Sequence, residues 1–208
     1  FEARKYVPIP LEEVILDWSI IDVANENTRP TVEIFLAAVP KDETVRYQSI
    51  MAGAGLNLKA LELENSALIR ALLGNDLAPT AIVNIGGRST SIVVVSKGYE
   101  RLSHNYEVGG FEITKSISRS LNISLEKADE LKKRLGMNQT DENIINEAMS
   151  ALVDMMAFET KKTMNSFENT RNEKVARVLL VGGMINMPNF LNYFKQKLGQ
   201  EVFAGNAF

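Results

Sequence analysis

The sequence predicts an α/β protein in which mixed sheets are flanked by helices, and three observations predict it. Short apolar runs of strand length, at residues 81–85, 92–95 and 175–181, each end in a glycine or polar turn. Longer stretches carry apolar residues at helical spacing, as in Ile145, Met149, Leu152, Met156 and Met164. The composition, 45% hydrophobic and 24% charged over 208 residues, supplies the core of one larger domain or two small ones.

Taken in order, residues 1–7 read as the end of a helix, which Pro8 and Pro10 interrupt. Residues 14–23 and 31–39 read as two strands joined by a polar turn at 24–30, the second alternating through Val32, Ile34, Leu36 and Ala38. Pro40 ends that strand; Lys41 and Asp42 open a helix over 43–54 that Gly55 stops. A short strand at 57–63 and a helix at 64–73, closed by Gly74, complete a β-β-α-β-α unit. Residues 75–80, with Asp76 and Pro79, have the composition of a linker. The strands at 81–85 and 92–95 follow, with a turn at Lys97-Gly98 and a third strand over 101–108. Gly109-Gly110 leads into a helix at 111–121. Ser124 caps a helix over 125–135, which Gly136 ends, and Thr140 or Asp141 caps a long helix reaching about Phe167. Its methionines read as core filler. A strand at 175–181, Gly182-Gly183 and a helix from Pro188 to about Leu198 close the chain. The implied division is 1–74, a linker at 75–80, and 81–208 with a helical insertion about 122–170.

Several function classes fall away. The net charge of −3 provides no basic field for nucleic acid or anionic lipid, and the basic runs Lys132-Lys133-Arg134 and Lys161-Lys162 read as solvated helix faces. The absence of cysteine excludes disulfides and thiolate metal sites, and the single histidine, His104, excludes a His-rich metal centre. No apolar run reaches the roughly 20 residues of a membrane span, so no direct membrane insertion is expected.

Three places share one arrangement, a strand running into small residues and then a new element. In Asn84-Ile85-Gly86-Gly87-Arg88-Ser89-Thr90, glycine lets backbone N–H groups approach phosphate oxygens, while Ser89 and Thr90 add hydroxyls and Arg88 a charge. Gly109-Gly110 precedes a helix bearing Thr114, whose N-terminal donors suit an anion. Gly182-Gly183-Met184 would let a flat ring lie against the backbone. Each read alone is equally an ordinary turn, and neither a P-loop nor a G-x-G-x-x-G fingerprint is present.

Their order resembles the actin-like ATPase superfamily, which includes FtsA, MreB and sugar kinases. Residues 84–90 resemble its second phosphate loop and Gly182-Gly183 its adenosine motif. Glu64-Asn65-Ser66-Ala67 resembles the start of its connecting helix, and Ala128-Asp129-Glu130-Leu131-Lys132 resembles the helix that contacts ribose and adenine. Asp129 and Lys132, at i and i+3, also read as a solvated ion pair. Within the superfamily, Tyr6-Val7-Pro8-Ile9-Pro10-Leu11-Glu12-Glu13-Val14 with Asp17-Trp18, the Ala-Ala-Val-Pro-Lys of 37–41 and the closing Gly205-Asn206-Ala207-Phe208 resemble the PilM family of type IV pilus assembly.

That resemblance implies a partial actin-like, ribonuclease H-like fold: a chain lacking the first phosphate hairpin, with ATP and Mg2+ as cofactors. It implies nucleotide binding by Gly86, Gly87, Arg88, Ser89, Thr90, Gly109, Gly110, Asp129, Lys132, Gly182, Gly183 and Met184. The family's loop begins with Asp, whereas here Asn84 carries no charge to order a hydrated cation and cannot act as a base. Nucleotide binding is therefore expected over hydrolysis, with Glu64 the one matched catalytic candidate. The implied role is a cytoplasmic scaffold, peripheral to the inner face of the cell membrane, with other pilus platform proteins as partners. It would grip the N-terminal segment of a PilN-type inner-membrane protein. The alternative is an active ATPase or small-molecule kinase of the same superfamily.

Overall fold

The computed structural model describes residues 2–26, 29–138 and 143–206. The chain divides into two compact units, Phe1–Glu64 and Asn65–Phe208.

The first unit opens with 3-10 turns at Glu2–Lys5 and Leu11–Glu13. Strands β1 (Val14–Glu26) and β2 (Arg29–Pro40) then pair antiparallel. Both are longer than the sequence pattern indicates, because the ladder runs on to Asn25↔Pro30 and Glu26↔Arg29, and main-chain pairing is indifferent to side-chain polarity. A register shift between Ile20 and Asp22 interrupts it. Helix α1 (Lys41–Gly53) starts directly after Pro40, with Asp42 and Glu43 in its first turn opposite the positive end of the helix dipole. Lys41 ties it back by donating to the Glu12 carbonyl at 2.6 Å. The strand expected at residues 57–63 does not form. A strand is defined by a ladder partner, and no described strand pairs with this segment.

The second unit is built on a five-stranded sheet of order β5-β4-β3-β6-β7. Its strands are β3 (Thr80–Ile85), β4 (Thr90–Ser96), β5 (Tyr99–Tyr106), β6 (Arg177–Val181) and β7 (Val202–Ala204). β3, β4 and β5 form an antiparallel meander, while β3–β6 and β6–β7 are parallel. This explains why β3 reads as a continuous apolar run: both its faces are covered. Ala81, Val83 and Ile85 belong to one core, which includes α3 (Gly110–Leu121), α5 (Asn143–Arg171) and α6 (Phe190–Leu198). Ile82 belongs to a second core with Val93, Val95, Leu179 and Val181, against which Ile69 and Leu73 of α2 (Glu64–Leu73) pack. The methionines read as core filler, Met149, Met156 and Met164, are all buried in the first cluster.

Boundaries differ where tertiary contacts intervene. The helix expected from Pro188 begins at Phe190, because Asn189 is left-handed at φ 57° and the Pro188 carbonyl accepts from the Met137 N–H. A 3-10 turn, Gly183–Asn186, fills the gap after β6. α5 extends past Phe167 to Arg171; its expected cap at Thr140 or Asp141 lies outside the described residues. His104, on β5, sits 3.5 Å from Glu159 of α5.

The two phenylalanine rings of α6, Phe190 and Phe194, are fully buried with centroids 5.9 Å apart. Phe194→Ala should lower stability by about 3–5 kcal/mol through lost transfer energy and the cavity left behind, read as a reduced urea midpoint at unchanged slope.

Candidate functional site

β3 and β6 run parallel with Asn84 opposite Val181, so their carboxyl ends release the two Gly-Gly turns side by side. The approach is close. Gly182 has φ +95° and a Cβ there would run into the Ile85 carbonyl and stand 3.0 Å from Asn84 Oδ1. Gly109, which brings β5 into α3, also lies close against the first turn: a Cβ would stand 2.5 Å from the Gly86 carbonyl oxygen. Both glycines are required by space, and Gly182 also by its left-handed backbone.

The first turn and α3 are stitched together by the main chain. Gly86 N–H donates to the Ser89 carbonyl at 2.9 Å, and the Gly86 and Gly87 carbonyls accept from Gly110 N–H at 3.0 Å and Phe111 N–H at 2.8 Å. The first donors of α3, which could serve either an anion or a tight strand-to-helix turn, are thus used within the fold. Thr90 is likewise enclosed, its hydroxyl donating to the Val108 carbonyl at 2.7 Å. Gly87, Arg88 and Ser89 remain exposed.

Helix α4 (Leu125–Leu135) supplies the opposite wall. Ser124 caps it by accepting the Lys127 N–H at 3.3 Å, and Gly136 ends it. Between α4, α3 and the glycine turns lies a cavity of about 540 Å³. It gathers Gly86, Gly87, Gly110, Asp129, Lys132, Gly183 and Met184 of the residues singled out from sequence. Arg88, Ser89, Thr90, Gly109 and Gly182 shape the turns without lining it. Asn84 sits in β3 between Ser91 and Val181, and Glu64 opens α2, exposed; neither lines the cavity.

Phe111, Thr114, Leu125, Glu126, Lys133 and Met187 complete the lining. Most were within reach of helical periodicity. Thr114 is one turn past Gly110, and Leu125, Glu126 and Lys133 are three or four residues from Asp129. Met187 sits between the 3-10 turn and α6 and carries no sequence signal.

The charged centre is a surprise of packing. The pair Asp129 and Lys132 is not the solvated alternative: Lys132 is buried, its side chain 11% exposed. Its ammonium donates to Thr114 Oγ1 at 2.7 Å and to the Gly110 carbonyl at 3.1 Å, and sits 2.6 Å from Asp129 Oδ1. Three donors meet three acceptors, which is what an enclosed ammonium requires. Lys132 therefore pins α4 to the first turn of α3. Thr114 Oγ1 lies 3.2 Å from Asp129 Oδ1. Lys133, on the solvent side, lies 2.6 Å from Asp129 Oδ2. Hydrogen bonds from Lys132 and then Lys133 hold the Asp129 carboxyl well below the usual carboxylate range, at about 2.

A depressed carboxyl pKa stabilises the fold above its unfolded value of about 4 and loses that contribution as pH falls through the folded value. The stability difference between the wild type and Asp129→Asn should therefore be constant above about pH 5. It should shrink steadily between about pH 4 and pH 2, read from urea unfolding across pH.

Comparisons with known proteins bear on this architecture. The chain is 26% identical to the cell division protein FtsA of Bacillus subtilis over 99% of its own length and 53% of that protein's. It thus spans about half the length of this curated relative. Among solved structures, it superposes on a PilM–PilN type IV pilus biogenesis complex with a TM-score of 0.78 at 22% identity, covering 99% of this chain and 60% of that one. It also superposes on MreB 5 of Spiroplasma citri bound to AMPPNP with a TM-score of 0.64 at 15% identity, covering 80% and 60%. The fold is that of the actin-like ATPases. The family model described as type IV pilus assembly protein PilM matches residues 1–208, and the chain belongs to that family.

Proposed function

We propose that this chain is part of a cytoplasmic scaffold for type IV pilus assembly, that its cavity takes an adenine nucleotide, and that it holds the N-terminal segment of a PilN-type inner-membrane protein. One observation carries the nucleotide reading: two strand-to-glycine turns, a helix start and a second helix converge on a single cavity at the carboxyl ends of parallel strands. Open α/β sheets place ligands at that edge.

The residues fit such a ligand. The volume lies within the roughly 300–1,000 Å³ of small-molecule sites. Met184, Met187, Leu125 and Phe111 offer apolar surface for a base, and Gly183 adds no side chain to the wall. Asp129, ionised, accepts hydroxyl donors. Phosphates would meet the exposed stretch Gly87, Arg88 and Ser89, where the charge of Arg88 favours them. No three His, Cys, Asp or Glu side chains converge on one point among the described residues. A magnesium ion would be carried by phosphate oxygens and water, with the neutral amide of Asn84 adding no charge. These features favour binding over turnover. Nucleotide would act as an effector that shifts a conformational population.

The partner reading rests on the family and on the likeness to a PilM–PilN complex. No helix among the described residues is long and apolar enough to cross a membrane.

Calorimetric titration of Mg-ATP into the intact protein tests the nucleotide site. Saturable binding is expected, weakened at least tenfold by Gly183→Val, which places a branched side chain in the cavity wall. The absence of binding would leave the glycine turns with a structural role alone. The partner reading is tested separately with an immobilised PilN-type N-terminal peptide. Retention of the intact protein is expected, and failure to retain it would remove that partner.

A further inference from the structure

Four ionisable side chains line the cavity: Glu126, Asp129, Lys132 and Lys133. The two carboxylate oxygens of Asp129 are held very unequally. Oδ1 is bound by Lys132 at 2.6 Å, with Thr114 Oγ1 at 3.2 Å. Lys132 is almost enclosed and also grips the Gly110 carbonyl and Thr114, so moving it would strip three bonds from a buried ammonium. Oδ2 faces Lys133 alone among the described ion pairs, at 2.6 Å. Lys133 is 73% exposed, on a four-carbon stem that can swing into water with its charge fully hydrated. An exposed i,i+4 pair contributes little and is screened by salt.

Asp129 stands beside the apolar groups that suit a base, and an ionised carboxylate accepts hydrogen bonds but donates none. The ligand group it takes must therefore be a hydrogen-bond donor, and the sugar hydroxyls of a nucleoside are such donors. Such a hydroxyl finds Oδ1 committed and Oδ2 occupied by a cation that leaves easily.

We propose that Lys133 is an intramolecular competitor for the nucleoside: it holds the Asp129 oxygen that a sugar hydroxyl must take, and is displaced when the ligand binds. This rests on the reading of the cavity as a nucleotide site. Its consequence runs against the usual rule that removing a cation weakens a nucleotide site. Lys132 and Lys133, adjacent in sequence and sharing one carboxylate, have opposite effects. Lys132 builds the pocket, and Lys133 reduces its affinity by a salt-sensitive amount.

The test uses the intact protein with two uncharged probes, adenosine and 2′,3′-dideoxyadenosine, so that phosphate charge plays no part. Dissociation constants are read by NMR titration for the wild type, Lys133→Met and Lys133→Gln. Both variants should bind adenosine about two- to fivefold more tightly than the wild type, the scale of releasing an exposed pair. Neither should bind the dideoxy nucleoside differently. Raising the salt should tighten adenosine on the wild type and leave the variants unchanged. Weaker adenosine binding by the variants, or an equal change for both probes, would overturn the inference while leaving the site intact. A second readout needs no ligand. The carboxyl carbon of Asp129 should titrate at higher pH in Lys133→Met than in the wild type, and higher still in Lys132→Met. An unmoved titration in Lys133→Met would overturn the competition whether or not nucleoside binds. Failure of every form to bind Mg-ATP or adenosine would instead remove the nucleotide reading, and the competitor role with it.

Discussion

The parallel pairing of β3 with β6 is the constraint on which the rest of the second unit depends. These strands are separated in sequence by two strands and three helices, yet Asn84 lies opposite Val181. Parallel strands share a carboxyl edge, so the turns that leave them emerge together. Gly182 then fits against the Ile85 carbonyl and Gly109 against Gly86, at separations that no Cβ tolerates. The cavity follows from this edge: remove the parallel ladder and the glycine turns lose one another.

The second determinant is the enclosed charge cluster. Burying an ammonium is costly unless every donor finds an acceptor, and breaking such an arrangement is far costlier than never forming it. Lys132 meets the condition with one carbonyl, one hydroxyl and one carboxylate drawn from two helices. Two of the three bonds, to the Gly110 carbonyl and Thr114 Oγ1, cross from α4 to α3 and tie the two helices together, while the third lies within α4. The unit Phe1–Glu64 depends on different physics. Val14 is the one apolar side chain buried there among the described residues, while Trp18, Ile20 and Ile34 are exposed, so ladder hydrogen bonds rather than burial shape its ribbon.

Much of this was readable in the sequence. The apolar runs gave the central strands because β3 and β4 are covered on both faces, and the glycine pairs marked the ends of strands where backbone must approach backbone. Asp129, Lys132 and Met184 were singled out through resemblance, and all three line the cavity. The strand expected at residues 57–63 failed because a local pattern says nothing of a neighbour to pair with. The extent of β1 and β2 was missed for the converse reason.

By itself the sequence determined the α/β class, the order of the elements apart from the segment 57–63 and the short strand β7, the places where glycine is required and the PilM-type pattern, since each rests on local chemistry or motif order. Only the tertiary structure decided that Thr90 and the first donors of α3 are used internally, that Lys132 is buried while Lys133 faces water, and that Met187 joins the cavity. The physical reason is common to all three. Which partner a polar group finds, and whether water can reach it, depend on contacts between segments distant in sequence, and no local pattern records them.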